Sequence, residues 1–481
     1  MTSPIVPAMA LGAGLTEQRA RAIFRQGEEA VVFALLTQAK MISEARPAAD
    51  SAAPPSTPSG MVAVYAKPTV KPQRGKRPGR PAGHPGSRRD RPERIDRTQT
   101  HRARRCPCCG GALKRCRQTR TRYTEDIPHD VQPVVSEHVI HRDWCPHCQK
   151  HVEPAVPDAL PGATIGNRVL VLSAWLHYGL GNTLSQIIEV FNHHLQFKLT
   201  PGGLIQMWHR LAELLYAWYQ QIQREALDSA VLHGDETGWR VNGKTHWLWC
   251  FSNPDLTCYM IDRSRGSPAL LKFFTEAFEG TLVSDFWGAY NAVHCGRRQT
   301  CLVHLLRDLE NVEHYHKADQ DWPAFAKKLR RLVRDAIRLW KRHDPQAANP
   351  VSCAEHASRR ARLHQRLADL IDADWEHRDA RRLIKRLRRH RDDLFTFLDV
   401  PGVPFDNNHA ERAIRPAVII RKNSYANRSD RGADTQAVLM SVYRTLKQRG
   451  HHPLSTLVQA IETSLTTGQL PPLPEKSTAG G

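Results

Sequence analysis

The chain has 481 residues, 41% of them hydrophobic, and 69 Lys and Arg against 48 Asp and Glu give it a net charge of +21. That length suits about two or three domains, and the apolar content supports a core, which excludes an intrinsically disordered protein. The charge points to a polyanionic partner, nucleic acid before an anionic membrane surface.

No run of about 18 apolar residues is present to span a bilayer. The stretch from Met1 to Gly14 lacks the basic and apolar segments of a secretory leader. Six of the eleven cysteines fall between Cys106 and Cys148, a clustering that fits metal chemistry in a reducing compartment better than a disulfide framework. A cytoplasmic, nucleoid-associated protein is expected.

In chain order, residues 1–44 are expected to hold an amphipathic helix over 16–44, with Ile23, Phe24, Val31, Phe33, Leu35 and Leu36 at its apolar positions. It either dimerises or packs on the body. Residues 45–98, rich in Pro, Ala, Ser, Gly and Arg, read as a basic flexible linker. Inside it, Arg77 and Arg80 flank Pro-Gly in a pattern that suits a narrow A·T minor groove; the alternative is a solvated basic linker. Residues 71–122 hold 18 Lys or Arg against 3 Asp or Glu.

Residues 99–155 carry Cys106-Pro107-Cys108-Cys109 and Cys145-Pro146-His147-Cys148. Two Cys-x-x-Cys turns aim paired thiolates at one tetrahedral zinc, so Cys106, Cys109, Cys145 and Cys148 are the expected ligands of a structural Zn2+. The alternation from Arg120 to Val139 predicts the strands of a zinc ribbon. Cys108, Cys116, His141 and His147 are spare donors.

Residues 163–227 are helical. Thr183 to Phe197, the turn at Thr200-Pro201-Gly202-Gly203, and Leu204 to Tyr216 read either as a helix-turn-helix or as plain helical packing beside the core. A core over 228–450 follows. Its first strand is predicted to end at Asp235, and Asn242-Gly243 marks a hairpin. Further strands are expected at Thr245 to Phe251, Leu256 to Ile261, Leu282 to Ser284 and Thr300 to His304, with a helix at Ser267 to Phe278. Three meandering strands, a helix, a strand, a helix and a strand is the ribonuclease-H-like α/β order, in which the first and fourth strands are neighbours. Residues 308–400 read as a helical insertion with basic faces, which are either solvated or follow DNA phosphates. A C-terminal helix and tail occupy 451–481, with disorder expected beyond Pro471.

The fourth strand delivers Asp285, as the first delivers Asp235. A helix opening at Asp406 to Asn408 carries Glu411, with Arg412, Arg415, Arg421 and Lys422 around it. Glu411 reads either as a site carboxylate or as the partner of Asn408 in a capping box with a salt bridge to Arg415. Glu236 and Asp406 are expected to be structural, and His233 and His304 to be packed or hydrogen-bonded.

The segments His233–Lys244 (HGDETGWRVNGK), Ser284–Tyr290 (SDFWGAY) and Asp406–Ser424 (DNNHAERAIRPAVIIRKNS) resemble the three blocks of the insertion-sequence 66 family of DDE transposases. The resemblance implies a ribonuclease-H-like catalytic core, with a helical insertion, preceded by a zinc ribbon and a helical N-terminal region. It implies that Asp235, Asp285 and Glu411 are the catalytic ligands of Mg2+ or Mn2+, with Arg415, Arg421 and Lys422, besides Arg77 and Arg80, on DNA. Expected partners are element-end and target DNA, further copies of the chain, and accessory transposition proteins. A nuclease of the same fold without joining activity and a non-catalytic zinc-containing DNA-binding regulator are the competing functions.

Overall fold

The computed structural model describes residues 24–25, 91–114, 119–128, 131–316, 321–344 and 349–477. The expected N-terminal helix apart from residues 24–25, the linker up to residue 90 with Arg77 and Arg80, and Cys116 lie outside the described residues.

In the cysteine-rich region, β1 (Asp143–Cys145) and β2 (Lys150–Val152) pair antiparallel around the second Cys-x-x-Cys turn. The strands expected before them are absent from the described residues of 119–139. There Ile127, Val134, Val135 and Val139 stand exposed, so the alternation has no face to bury against.

Four helices follow. α1 (Asn167–Ala174) runs on through a π-turn at Trp175–Gly179. α2 (Leu184–His194) opens on a capping box in which Thr183 and Gln186 satisfy each other's backbone. α3 (Pro201–Leu214) is capped by Thr200, and α4 (Tyr216–Leu227) follows directly. α3 packs by one face. It buries Leu204, Met207, Trp208 and Leu211, Trp208 donates to Ser173 Oγ at 3.1 Å, and His209 meets Thr435 at 2.6 Å.

The central elements are β3 (Val231–Val241), β4 (Lys244–Ser252), β5 (Thr257–Asp262), α5 (Ser267–Phe273), β6 (Phe278–Ser284), a 3-10 turn at Gly288–Ala292 and β7 (Cys295–Thr300). Then come α6 (Leu302–His316), α7 (Trp322–His343), α8 (Cys353–Asp372), α9 (Arg378–Arg389), α10 (Thr396–Asp399), α11 (Asn408–Ser424), α12 (Asp430–Gln448) and α13 (Pro453–Thr467). The strand order is β5-β4-β3-β6-β7. β4 and β5 are antiparallel, whereas β3 with β6 and β6 with β7 are parallel, so the chain has a mixed α/β architecture.

Three expectations need correction. The first strand does not end at Asp235 but continues to Val241, because Glu236 and Thr237 find partners that let an acidic segment stay extended. The fifth strand is Cys295–Thr300 rather than Thr300 to His304, and the helix after it begins at Leu302, not near 308. Polar Gln299 is fully buried in that strand, donating to the Leu394 carbonyl and accepting from the Phe397 amide.

The chain divides into two compact units. In its described residues, the first comprises Asp228–Asp235 and Gly266–His409. Its core joins Val283 and Phe286, at the end of β6, to Leu305 and Leu309 of α6, Phe325 and Leu329 of α7, and Leu383 and Leu387 of α9. The helical insertion therefore shares one core with the strand that delivers Asp285. In its described residues, the second unit falls within residues 91–227, Glu236–Arg265 and residues 410–477. In it, α12 is buried along most of its length, and its Ser441 and Thr445 hydroxyls accept the Tyr259 and Thr257 amides. The tail after Pro471, expected to be disordered, is strapped down as far as Ser477. Trp218 donates to the Pro471 carbonyl at 2.6 Å, Leu473 is buried, and the Ser477 amide donates to Arg449.

Candidate active site and zinc centre

In the first unit, β3 and β6 pair Val231 with Thr281, Leu232 with Leu282 and His233 with Val283. That constant offset of 50 residues equals the separation of Asp235 and Asp285, and the pairing runs to His233 with Val283, two residues before each aspartate. Adjacent strands run about 4.8 Å apart, within reach of a shared ligand.

Each aspartate is held from behind. The Asp285 carboxylate accepts the Trp287 amide at 2.8 Å, turning the chain sharply after β6. Just before Asp235, Asn407 is almost wholly buried and makes three contacts. Its side chain meets His233 Nδ1 at 3.0 Å and donates to the Gly234 carbonyl at 2.8 Å, and its amide meets Cys301 Sγ at 3.2 Å. Gly234 has to be glycine, since a Cβ there would lie 2.9 Å from the ring of Tyr290. His233 is thus hydrogen-bonded, as expected, and its ring lies 5.2 Å from that of His409.

Behind Asp285, the Arg386 guanidinium sits 5.2 Å above the Phe286 ring and donates to Asp308 at 2.5 Å. Asp308 is fully buried, and burial pushes its carboxyl up to about 7. Arg386 and Arg307 oppose the shift, whereas the negative charge of Asp285 adds to it. Sequence reading missed Asn407, Asp308 and Arg386 as supports of the site. For Asp308 the signal was there, an acid set among Leu305, Leu306 and Leu309.

Carboxylate oxygens are the donors that Mg2+ and Mn2+ prefer, so the Asp235–Asp285 pair fits a hard divalent cation as two of its ligands. Among the described residues, no three His, Cys, Asp or Glu side chains are gathered closely enough to enclose a metal. The third expected ligand, Glu411, is half-buried in the first turn of α11 and belongs to the second unit. The helix start is held by Asp406, whose carboxylate accepts the Asn408 amide at 3.1 Å and its side chain at 2.7 Å. That assigns Asp406 the expected structural role. Glu236, expected to be structural too, is buried against Arg265 at 2.9 Å, and Arg265 stacks 4.5 Å over Trp247.

Of the expected DNA contacts, Arg415 and Lys422 are exposed. Arg421 turns inward instead: it donates to Thr237 Oγ1 at 2.8 Å and to the Gly238 carbonyl, and burial lowers its pKa. In the first unit, a groove of about 520 Å³ between α7 and α8 is lined by Arg338, Lys341, Arg342, Arg359, Arg362 and Arg366. Asp335 reaches Arg338 at 3.2 Å and Arg366 at 2.9 Å.

The two cysteine turns share one plan. The residue after each second cysteine takes a left-handed backbone, Gly110 at φ 71° and Gln149 at φ 50°. The first cysteine then pairs five residues on, Cys106 with Gly111 and Cys145 with Lys150. The Cys148 amide approaches Cys145 Sγ at 3.4 Å. Hydrogen bonds from Cys109 and Cys108 lower the Cys106 thiol pKa, and those from Cys148 and His147 lower that of Cys145. Each turn thus presents a pair of cysteine sulfurs, the donor type that zinc selects. The structure brings Cys106 to Cys109 and Cys145 to Cys148, but it does not gather all four.

The family model described as Transposase IS66 family matches residues 162–435. The chain belongs to this transposase family. A second model, the zinc-finger binding domain of transposase IS66, matches residues 103–149 and includes all four cysteines. Three similar proteins from Sinorhizobium fredii (strain NBRC 101917 / NGR234) carry the names uncharacterized protein y4qI, y4hP and y4jD. Protein y4qI is 26% identical over 46% of this transposase, and the match spans only 44% of that relative's length. Protein y4hP is 22% identical over 74% of the chain and 70% of its own length, and y4jD 24% over 75% and 74%.

Proposed function

We propose that this transposase cleaves the ends of its element and joins them to target DNA, with Asp235, Asp285 and Glu411 holding Mg2+ or Mn2+. The observation that carries this reading is the parallel β3–β6 register, whose 50-residue offset is also the separation of Asp235 and Asp285. A ribonuclease-H-like core is part of the reading, supported by the order of strands and helices and by the parallel pairing of β3 with β6. Divalent cations, when bound, supply a nucleophile from water or a 3′-hydroxyl and relieve charge on the departing oxygen. The chain's own part is to orient the carboxylates. Asn407 and the Asp285 turn fix the backbone on either side, so the two acids keep their spacing when the site is charged.

Four cysteines, Cys106, Cys109, Cys145 and Cys148, share one structural Zn2+ in this reading, and the matching turns support it. DNA is held by Arg415 and Lys422, by the groove between α7 and α8, and by Arg77 and Arg80. The enzyme acts as at least a dimer on paired ends, with accessory proteins where the element needs them. The test incubates purified chain with Mg2+, end DNA and a plasmid target. Joined products are expected. Cleavage without joining would reduce the enzyme to a nuclease, and DNA binding without either would leave a regulator.

A further inference from the structure

The second unit holds a cavity that neither the carboxylates nor the cysteines use. Its volume is about 290 Å³, roughly ten waters' worth at ~30 Å³ each, so it takes a phosphate with part of a sugar. Three cations line it: Lys244 at the start of β4, Arg263 just after β5, and Arg428 before α12. None of the three forms an ion pair with a carboxylate among the described residues, and Asp430 is the one acid in the lining.

The walls are built rather than incidental. Asn242 and Gly243 take left-handed backbones that close the β3–β4 turn, and the Asn242 amide donates to Asn427, tying that turn to the segment before α12. Ser429 caps α12, a helix of 19 residues whose N-terminus favours an anion. His246 also lines the cavity. It is 7% exposed, with Nδ1 3.1 Å from the Lys244 carbonyl.

We propose that this cavity binds a phosphate group of the DNA backbone. The proposal rests on the reading of the chain as one that acts on DNA. The lining holds no Trp, Tyr or Phe on which a base would stack, which favours a backbone phosphate over a free nucleotide. It is distinct from the Arg415 and Lys422 surface and from the groove between α7 and α8.

The test measures binding of labelled duplexes to the full chain across a salt series without divalent metal. In Lys244→Ala with Arg428→Ala, affinity should fall for every sequence alike, and the slope of log affinity against log salt should flatten by about 0.9 per phosphate lost. Lys244→Arg with Arg428→Lys should keep the wild-type slope, and melting curves verify that both variants fold. An unchanged slope in the folded alanine variant overturns the proposal. So does thymidine, a nucleoside without phosphate, that at matched ionic strength displaces duplex from the wild type but not from the variant, since the cavity would then serve the nucleoside. The catalytic reading fails separately, by absence of metal-dependent cleavage in a wild type whose slope still differs from the variant's.

Discussion

Asn407 donates its side-chain amide to the Gly234 carbonyl at 2.8 Å, one residue before Asp235. The oxygen of the same side chain accepts from His233 Nδ1, so a residue just before α11 grips β3 beside a candidate metal ligand. Asn407→Ala should cost about 1–3 kcal/mol of stability for the buried partners it orphans. Cleavage should fall further than that loss of folded protein explains. Denaturant melts beside cleavage rates check both; full activity at normal stability would show that the grip is dispensable.

Each of Asp235→Ala, Asp285→Ala and Glu411→Ala should abolish metal-dependent cleavage while leaving duplex affinity within about threefold, because the basic surfaces remain. Gel-shift and cleavage assays on the same preparations separate the two. Full activity in Glu411→Ala would remove that residue from the site.

Asp308 gives a pH signature. The carboxyl ionises near 3.8 when unfolded and near 7 in the folded chain, so between those values the unfolded state binds fewer protons. Stability then falls as pH rises through that window, by about 1.4 kcal/mol per unit for this group, and levels off above it. Asp308→Asn should flatten the stability profile between pH 4 and 7. An identical profile in wild type and variant would refute the assignment.

The full chain should hold one zinc, measured by elemental analysis. Cys106→Ser with Cys145→Ser should lose it, since two thiolates from separate turns cannot complete a tetrahedral site. Retention of zinc in the double variant would end the four-cysteine reading.

Lys341→Ala with Arg362→Ala, in the groove between α7 and α8, should flatten the salt dependence of duplex binding by about 0.9 for each phosphate contact removed. No change in slope would make that groove a solvated helix surface.

Much of this arrangement was legible in the sequence, and the exceptions have physical reasons. Leu282, Val283 and Ser284 announce a buried strand, and Asp285 follows it as expected. Asn242-Gly243 marks the hairpin by backbone conformation alone, and both residues take the left-handed backbone it needs. Asp235 was misplaced at a strand end because acidic residues usually mark a turn. Here Arg265 neutralises Glu236 from a position 29 residues away, which no local pattern reveals. Gln299 hid β7 in the same way, as its partners Leu394 and Phe397 are nearly a hundred residues distant. Arg421 bonds Thr237 and Gly238, partners 184 and 183 residues away that no local pattern reveals.

Consecutive residues of a strand face opposite sides, and Asp235 and Glu236 are consecutive on β3. A shift of one residue in pairing would therefore hand the neighbouring strand a glutamate in place of an aspartate, one methylene longer and on the wrong face. Arg265, set between Glu236 and the Trp247 ring, makes that shift costly, because it would part the buried Glu236 carboxylate from its partner. A residue 29 positions away thus fixes which of two adjacent acids takes the inner face of the strand.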